Sequence, residues 1–202
     1  MAVKKSKKNV EDVVLDVPEM KIGYATFRVK GTEPLIVNKF SEKMQQMILD
    51  KQMKKASEGR VAKDPEELYK QSIYWFPDNK RTGFPAVGFK AAMTRAAKQL
   101  GLVMTDTRGK FHVVADENEL VEIKGKHEMR SDMVRLASGV ADIRFRACYP
   151  EWHADIKIRY NENAISKDQL ANLLRVAGFS CGIGEWRPEK SNSGSYGLFD
   201  IV

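Results

Sequence analysis

Apolar and polar residues alternate along two segments of the chain. Between residues 21 and 30, Ala25, Phe27 and Val29 point one way, and the polar residues between them point the other way. The segment His153–Tyr160 alternates in the same manner. A period of two is typical of a strand that is buried on one face and exposed on the other. The pattern therefore predicts two half-buried strands, far apart in the sequence.

Helical spacing recurs between these strands. A basic helix is expected after Ser41, and Asp64 followed by Pro65 is a typical helix start, with a capping acid and a proline in the first turn. A third helix is predicted over residues 87–100. A fourth begins at the capping-box residue Ser166 and ends near Gly178.

Short apolar runs predict further strands, at residues 34–37, 73–76, 143–147, 179–182 and 198–202. Residues 111–114 and 120–124 are expected to form a hairpin around a turn at residues 116–118, whereas residues 129–136 stay ambiguous between strand and helix. Strands and helices mixed with antiparallel hairpins indicate the α+β class rather than a doubly wound parallel sheet.

Charge is unevenly distributed along the 202 residues. Lys and Arg number 34 against 27 Asp and Glu, a formal net charge of +7. Residues 21–100 alone carry a net charge of +8, and the rest of the chain is nearly balanced. A localised basic surface suggests a polyanionic ligand such as nucleic acid. An ordinary Lys-rich solvated face explains the charge equally well.

Composition narrows the classes of function and location. The apolar runs are far shorter than the ~20 residues that a membrane helix needs, and the N-terminal lysines are not followed by the apolar core of a signal peptide. Cys148 and Cys181 are too few for a disulfide framework and indicate reduced thiols. Neither they nor the three histidines have metal-ligand spacing. We therefore expect a cytoplasmic protein with no metal and no cofactor.

The segment from Gly182 to Gly197 is rich in glycine and contains both cations and aromatic rings. Glycines let main-chain N–H groups approach phosphates, basic side chains add charge, and aromatic rings can stack on bases. This chemistry suits single-stranded nucleic acid. The candidate binding residues are Gly182, Gly184, Trp186, Arg187, Lys190, Gly194 and Tyr196. The alternative is a long surface loop whose Trp186 packs on a sheet.

The segment GFPAVGFKAAMTRAA (residues 83–97) leads from a short hairpin into a helix. Free N–H groups at such a helix start can receive a phosphate, with Gly88, Lys90 and Arg95 as candidate contacts. An ordinary helix start, with Gly88 allowing close packing, is the alternative. We add Lys39, from the basic segment 21–60, to the candidates.

The segment KGKHEMRSDMVRL (residues 124–136) mixes cations with methionines. This mixture predicts that the segment contacts a nucleic-acid strand between its bases. Arg130 and Arg135 are the candidate binding residues. A solvated amphipathic connector is an equally good interpretation.

Three of these segments together resemble the repeat-associated mysterious protein (RAMP) superfamily. GIGEWRP…GSYGLFDIV is similar to its glycine-rich loop and last strand, and KIGYATFRVKGTEPLIV to its first strand and loop. GFPAVGFKAAMTRAA resembles its Pro-Gly-small-Lys-Gly-Ala helix start, with Ala86, Val87 and Gly88 in place of the usual small residues. The likeness covers about half of the chain.

The resemblance implies a fold and an organisation. The fold would be a ferredoxin-like antiparallel sheet of the RNA-recognition type, with helices on one face. Residues 1–19 themselves lack hydrophobic periodicity, so a flexible tail is expected before one domain over residues 20–202. A helical insertion at about 38–72 and a thumb-like hairpin insertion at about 105–147 would interrupt that domain.

The resemblance also implies a function, which is non-catalytic binding of single-stranded RNA. Superfamily members include backbone subunits of CRISPR effector complexes, which assemble side by side along a guide RNA. Expected partners are therefore the strand, further copies of this chain and other subunits of a ribonucleoprotein. A phage protein that binds single-stranded DNA is an alternative, and so is a self-assembling structural protein that binds no nucleic acid.

An endoribonuclease of the same superfamily is a further alternative. Such enzymes use a histidine near the first helix as general acid or base, and residues 31–100 contain none. His153 is expected to be structural. Some backbone subunits cut RNA with a loop aspartate, for which Asp106 and Asp132 are the possible counterparts. We expect no catalytic residue.

Overall fold

The computed structural model describes residues 18–40, 42–55, 63–135 and 139–202. The predicted tail lies outside the described residues up to position 17. The strands are β1 (Ile22–Gly31), β2 (Leu35–Val37), β3 (Tyr74–Trp75), β4 (Thr82–Pro85), β5 (Phe111–Val114), β6 (Leu120–Glu122), β7 (Glu128–Arg135), β8 (Ala141–Tyr149), β9 (His153–Asn161) and β10 (Phe199–Ile201). The helices are α1 (Glu42–Gln52), α2 (Pro65–Gln71), α3 (Ala86–Gln99), α4 (Met104–Lys110) and α5 (Lys167–Ser180).

A four-stranded antiparallel sheet forms the centre of the molecule, in the order β10-β1-β9-β5. The two strands predicted from alternation, β1 and β9, are its middle pair, with Ala25 opposite Ile158 and Phe27 opposite Ile156. The buried positions of both strands point to the same side. They form one core there with the apolar stripes of α3 and α5, which include Phe89. Burial of these side chains is the main source of stability for this layer.

Local capping fixes the starts of two helices. The side chain of Asp64 accepts a hydrogen bond from the Glu66 N–H at 2.9 Å, ahead of Pro65 in α2. Ser166 and Gln169 form a reciprocal capping box at the start of α5. Both starts are where the sequence predicts them.

Two smaller sheets lie beside the central one. In the first, β8 lies between β2 and β7, and β7 and β8 form a hairpin that runs from the pair Glu128–Cys148 to the pair Arg135–Ala141. Helix α2 packs on β8. In the second, β4 lies between β3 and β6. Residues 129–136, ambiguous in the sequence, are therefore strand as far as Arg135.

Two sequence predictions are wrong. Residues 111–114 and 120–124 do not pair as a hairpin, because β5 pairs with β9 and β6 pairs with β4. Residues 179–182 do not start a strand, because α5 continues to Ser180. In both cases a short apolar run does not reveal its tertiary partner, and the partner decides the structure.

Candidate nucleic-acid interface

The glycine-rich loop, residues 182–197, is anchored on β2. The Glu185 N–H donates to the Ile36 carbonyl oxygen at 2.8 Å. A Cβ on Gly184 would lie 2.4 Å from that same oxygen, and the φ of Gly184 is +78°. Close approach and a left-handed conformation both require glycine here. Gly182 also has a positive φ, of +66°. The glycines therefore fit the loop to the protein's own backbone.

The loop's arginine binds within the protein. Arg187 donates through Nη1 to the Gly184 carbonyl oxygen at 2.6 Å and through Nε to Glu189 Oε2 at 3.1 Å. Arg95, from α3, donates to the same carboxylate oxygen at 2.7 Å. Arg95 and Arg187, both predicted to contact phosphates, thus bind the same carboxylate of Glu189. Lys190 is exposed.

The loop's aromatic rings stack on arginines of the hairpin. The Arg130 guanidinium lies 4.9 Å from the Tyr196 ring centroid and 5.5 Å from that of Trp186. Arg146 lies 4.9 Å from the Trp186 centroid. A Cβ on Gly194 would lie 2.0 Å from the Trp186 carbonyl oxygen. Cation–π contacts of this kind hold the loop on the hairpin.

An ion network lies beneath the rings. Arg146 donates through Nη2 to Asp132 at 3.0 Å and through Nη1 to Glu185 at 3.4 Å, and Arg130 donates to Asp132 at 2.8 Å. The side chains of Arg146 and Asp132 are 2% and 6% exposed. We call this assembly the loop cluster. It consists of Arg95, Arg130, Asp132, Arg146, Glu185, Trp186, Arg187, Glu189 and Tyr196.

The other predicted contacts lie apart from the loop cluster. Gly88 packs on the Phe84 ring, 2.4 Å from where its Cβ would be. Lys90 Nζ lies 3.0 Å from His112 Nδ1 on β5. Lys39 is exposed after β2, and Arg135 is exposed at the far end of β7.

A second basic surface lies on the side of the central sheet opposite α3 and α5, which no described helix covers. The register places Tyr24 beside Arg159, and Arg159 beside His112. Tyr24 is 71% exposed. We call this surface the open sheet face. Its outward residues are Tyr24, Thr26, Arg28 and Lys30 on β1, His153, Asp155, Lys157 and Arg159 on β9, and His112 and Val114 on β5.

Acids on this face are few, and its ion pairs are exposed. Arg28 and Lys124 hold Asp155, at 2.8 and 3.0 Å, and the hydrogen bond from Arg28 is the main cause that lowers the pKa of Asp155 to about 2. Lys157 lies 3.5 Å from Asp116. Burial, followed by the charges of Lys90 and Arg159, lowers the pKa of His112, so this histidine adds little charge at neutral pH.

The sequence prediction missed this surface, although its signal is present. The alternation of β1 puts Arg28 and Lys30 on the face opposite Phe27. That pattern indicates exposure, and exposure alone does not indicate a ligand. Only the pairing of β1 with β9 places Arg159 and Lys157 beside Tyr24 and makes a continuous basic surface.

Metal-ligand clusters are absent from the part of the chain that the structure describes. The two aspartates considered for catalysis are both paired, Asp132 within the loop cluster and Asp106 with Lys110 at 2.6 Å. Among the described residues, no helix has the length and apolar character to cross a membrane.

The fold and these surfaces define an α+β protein whose antiparallel central sheet has one face packed by helices and one basic face with exposed side chains. No protein-family model matches the sequence, and no curated protein matches it. The structure is similar to a chain in the cryo-EM structure of the Type III-B Cmr-beta complex bound to cognate target RNA, with 10% identity and a TM-score of 0.47. That match covers 88% of this chain, which spans only 59% of the other. The structure of this chain is also similar to that of Cmr6 from Pyrococcus furiosus, with 9% identity and a TM-score of 0.42. This second match covers 91% of this chain and 100% of Cmr6. Both identities are at or below 10% and both TM-scores are below 0.5, and the RAMP-like resemblance stays a prediction from the sequence.

Proposed function

We propose that this chain binds single-stranded nucleic acid, RNA in the first place, and does not cleave it. The observation that carries the proposal is the open sheet face. An exposed tyrosine lies there among Arg28, Lys30, Lys157 and Arg159, on a flat surface with few acids. Aromatic rings stack on unpaired bases, and exposed cations neutralise phosphates.

We further infer that β1, α3, β5, β9, α5 and β10 are a ferredoxin-like unit. This inference is supported by their order along the chain, strand–helix–strand–strand–helix–strand, and by the strand order β10-β1-β9-β5. On this interpretation, α1, α2 and the β7–β8 hairpin are insertions, and the hairpin contributes Arg130, Asp132 and Arg146 to the loop cluster.

On this proposal, the loop cluster contributes to strand binding mainly through the shape of its surface, and less through the charge of its arginines. Its arginines are paired with Asp132, Glu185 and Glu189, so the exposed groups left for phosphates are Lys190 and the loop backbone. We propose that the strand runs from the open sheet face toward this loop. Copies of the chain, and other subunits of a ribonucleoprotein, would then lie side by side along it.

The test is a fluorescence anisotropy titration with labelled 20-nucleotide RNA, the same sequence as DNA, and a matching duplex, at 50 and 200 mM salt. The expected result is tight binding of single strands, with RNA preferred, that weakens steeply with salt. Duplex binding of equal strength, or no binding, would contradict the proposal. A ratio of absorbance at 260 and 280 nm above that of pure protein would show that nucleic acid copurifies.

Assembly is tested separately, by mass photometry on strands of increasing length. Regular multiples of the 22.9 kDa chain are expected as the strand lengthens. A single 1:1 complex at every length would remove the side-by-side assembly from the proposal but leave the binding.

One observation favours endoribonuclease activity as a second candidate. His112 is exposed, has a lowered pKa, and lies 3.0 Å from Lys90, so a neutral imidazole and an ammonium group are adjacent. If a bound phosphate draws the Lys90 ammonium away from Nδ1, the freed imidazole nitrogen can take a proton from a 2′-hydroxyl while the ammonium stabilises the developing negative charge. Metal-independent cleavage on a gel, lost in His112→Ala, would establish this activity. Intact RNA after prolonged incubation would exclude it.

A further inference from the structure

A cleft with a cavity volume of about 190 Å³ lies between α2 and one edge of β8. Strand β2 pairs with β8 only at residues 147–149, so within the described chain no strand covers this edge over residues 141–146. We call it the α2–β8 cleft. Its lining residues are Asn38, Lys39, Lys63, Leu68, Gln71 and Ser72 on one side, with Asp142, Ile143, Arg144, Phe145 and Arg146 on the other.

The uncovered edge presents main-chain groups to the cleft. Lys63 donates to the Ile143 carbonyl oxygen at 3.1 Å, and the Ala147 N–H donates to Ser72 Oγ at 2.9 Å. Main-chain groups of alternate strand residues point to the same edge. The N–H and C=O of Phe145 therefore also point into the cleft, as one donor and one acceptor side by side.

The charges around the cleft favour an anion. Lys39, Lys63 and Arg144 face one acid, Asp142. Lys63 is hydrogen-bonded to Asp142 and, with Arg144, lowers the pKa of that carboxyl group, which stays ionised and neutralises one of the cations. Arg146 also lines the cleft and is buried, and its Nε has no hydrogen-bond partner in the described chain.

The remaining wall is apolar. Leu68 and Phe145 are half-buried, and Ile143 is exposed. A ligand that fills this cleft needs a flat apolar part, a hydrogen-bonding edge and a negative charge. A nucleotide has all three. An extended peptide would use the strand edge but would leave the excess of cations without partners.

We propose that the α2–β8 cleft holds one nucleotide of the bound strand. Its base lies between Leu68 and Phe145 and bonds to the Phe145 main chain, and its phosphate lies on Lys39 and Lys63. The base in the cleft is unstacked from its neighbours, which a single strand permits at low cost. This proposal rests on the proposed function.

The experiment uses the full chain and a 20-nucleotide RNA with 4-thiouridine at successive positions. Photocrosslinked peptides are identified by mass spectrometry. Anisotropy compares wild type with Lys39→Ala/Lys63→Ala and with the cleft-filling variant Gln71→Trp. The matched control, Lys98→Ala/Lys167→Ala, removes two exposed lysines from the helical side.

The expected result is a crosslink in the peptide that contains Phe145. Affinity for the RNA should fall about tenfold in the cleft variants and stay unchanged in the control. The salt dependence of Lys39→Ala/Lys63→Ala should also be lower by about 0.7 in log–log slope, because one phosphate is no longer neutralised. Normal binding by wild type, crosslinks only elsewhere and unaffected cleft variants would overturn the cleft assignment and favour another occupant, such as an extended peptide. Failure of wild type to bind RNA would instead refute the proposed function.

Discussion

The loop cluster and the open sheet face each contain four cationic side chains, but these side chains differ in burial and in the number of acids around them. In the loop cluster, Arg146 is 2% exposed and Arg187 23%, and three acids lie among the arginines. On the open sheet face, Arg28 is 60% exposed and Lys157 57%. Exposed pairs contribute little to stability and exchange readily for a phosphate, whereas a buried pair is costly to break. The first region therefore holds the protein together, and the second is free to meet a ligand.

The strongest test of this contrast is the stability of Arg146→Ala. The substitution leaves the buried carboxylate of Asp132 with Arg130 alone and empties a buried site, and we expect a loss of about 3 kcal/mol in the free energy of unfolding. Urea denaturation measures it. Arg28→Ala, the matched change on the open sheet face, should leave the urea midpoint nearly unchanged. Similar midpoints for both variants would abolish the distinction between the two regions.

Charge reversal tests the open sheet face as the binding surface. We expect the triple variant Arg28→Glu/Lys157→Glu/Arg159→Glu to bind single-stranded RNA about a hundredfold more weakly, because phosphate contacts become repulsive. Anisotropy at fixed salt measures this.

The control for charge reversal makes the same change in net charge on the helical side, with Lys98→Glu/Lys167→Glu/Arg175→Glu. An equal loss in the control would mean that only the net charge matters. Full affinity in the open-face variant would place binding elsewhere.

Two aromatic substitutions separate stacking on a base from packing within the protein. Tyr24→Ala should cost about 1–3 kcal/mol of binding with an unchanged melting temperature, because its ring is exposed. Trp186→Ala should instead lower the melting temperature, because its ring lies against Arg130, Arg146 and Tyr196. Thermal melts and titrations on both variants decide the matter. The reverse pattern would return the stacking role to the glycine-rich loop.

The smallest expected effect is the acid dependence of Asp155. Its pKa in the folded protein is about 2, below the ordinary value of 3.8, so its ion pairs stabilise the fold above about pH 4. That contribution is lost as the pH falls from about 4 to 2. Asp155→Asn should flatten this part of the stability profile and increase RNA affinity a few-fold, since it removes an acid and releases Arg28. An unchanged acid profile would show that the pair at Asp155 does not affect stability.

Local patterns predict the elements well where one face of an element is buried. The alternation in β1 and β9, and the caps at Asp64 and Ser166, are properties of neighbouring residues, and the structure confirms them. The pairing of β5 and β6 depends on strands far away in the sequence. Each short apolar run fits several partners, so the hairpin that the pattern predicts over residues 111–124 does not form.

In the candidate site, too, the sequence predicts what depends on neighbouring residues but not what depends on distant partners. The sequence indicates Trp186, Arg187 and Tyr196, and the structure does bring these residues together. Composition cannot tell whether an arginine faces phosphate or an internal carboxylate. Glu189 lies only two residues from Arg187, yet Arg95, which shares that acid, comes from a helix about ninety residues earlier. The open sheet face could be recognised only once β1 and β9 were known to be neighbours.

The position of β1 in the central sheet has a consequence for how the protein is made. Its two neighbours lie far downstream in the sequence, since Ile22 pairs with Asn161 and Val29 with Ile201. During synthesis, the core on the apolar side of β1 cannot form until β9, α5 and β10 have left the ribosome. Contacts of such large sequence separation slow folding and leave a strand edge open to wrong partners. We therefore expect nascent chains to depend on chaperones, and ribosome-bound fragments that end before β9 to be captured by them more strongly than the finished protein.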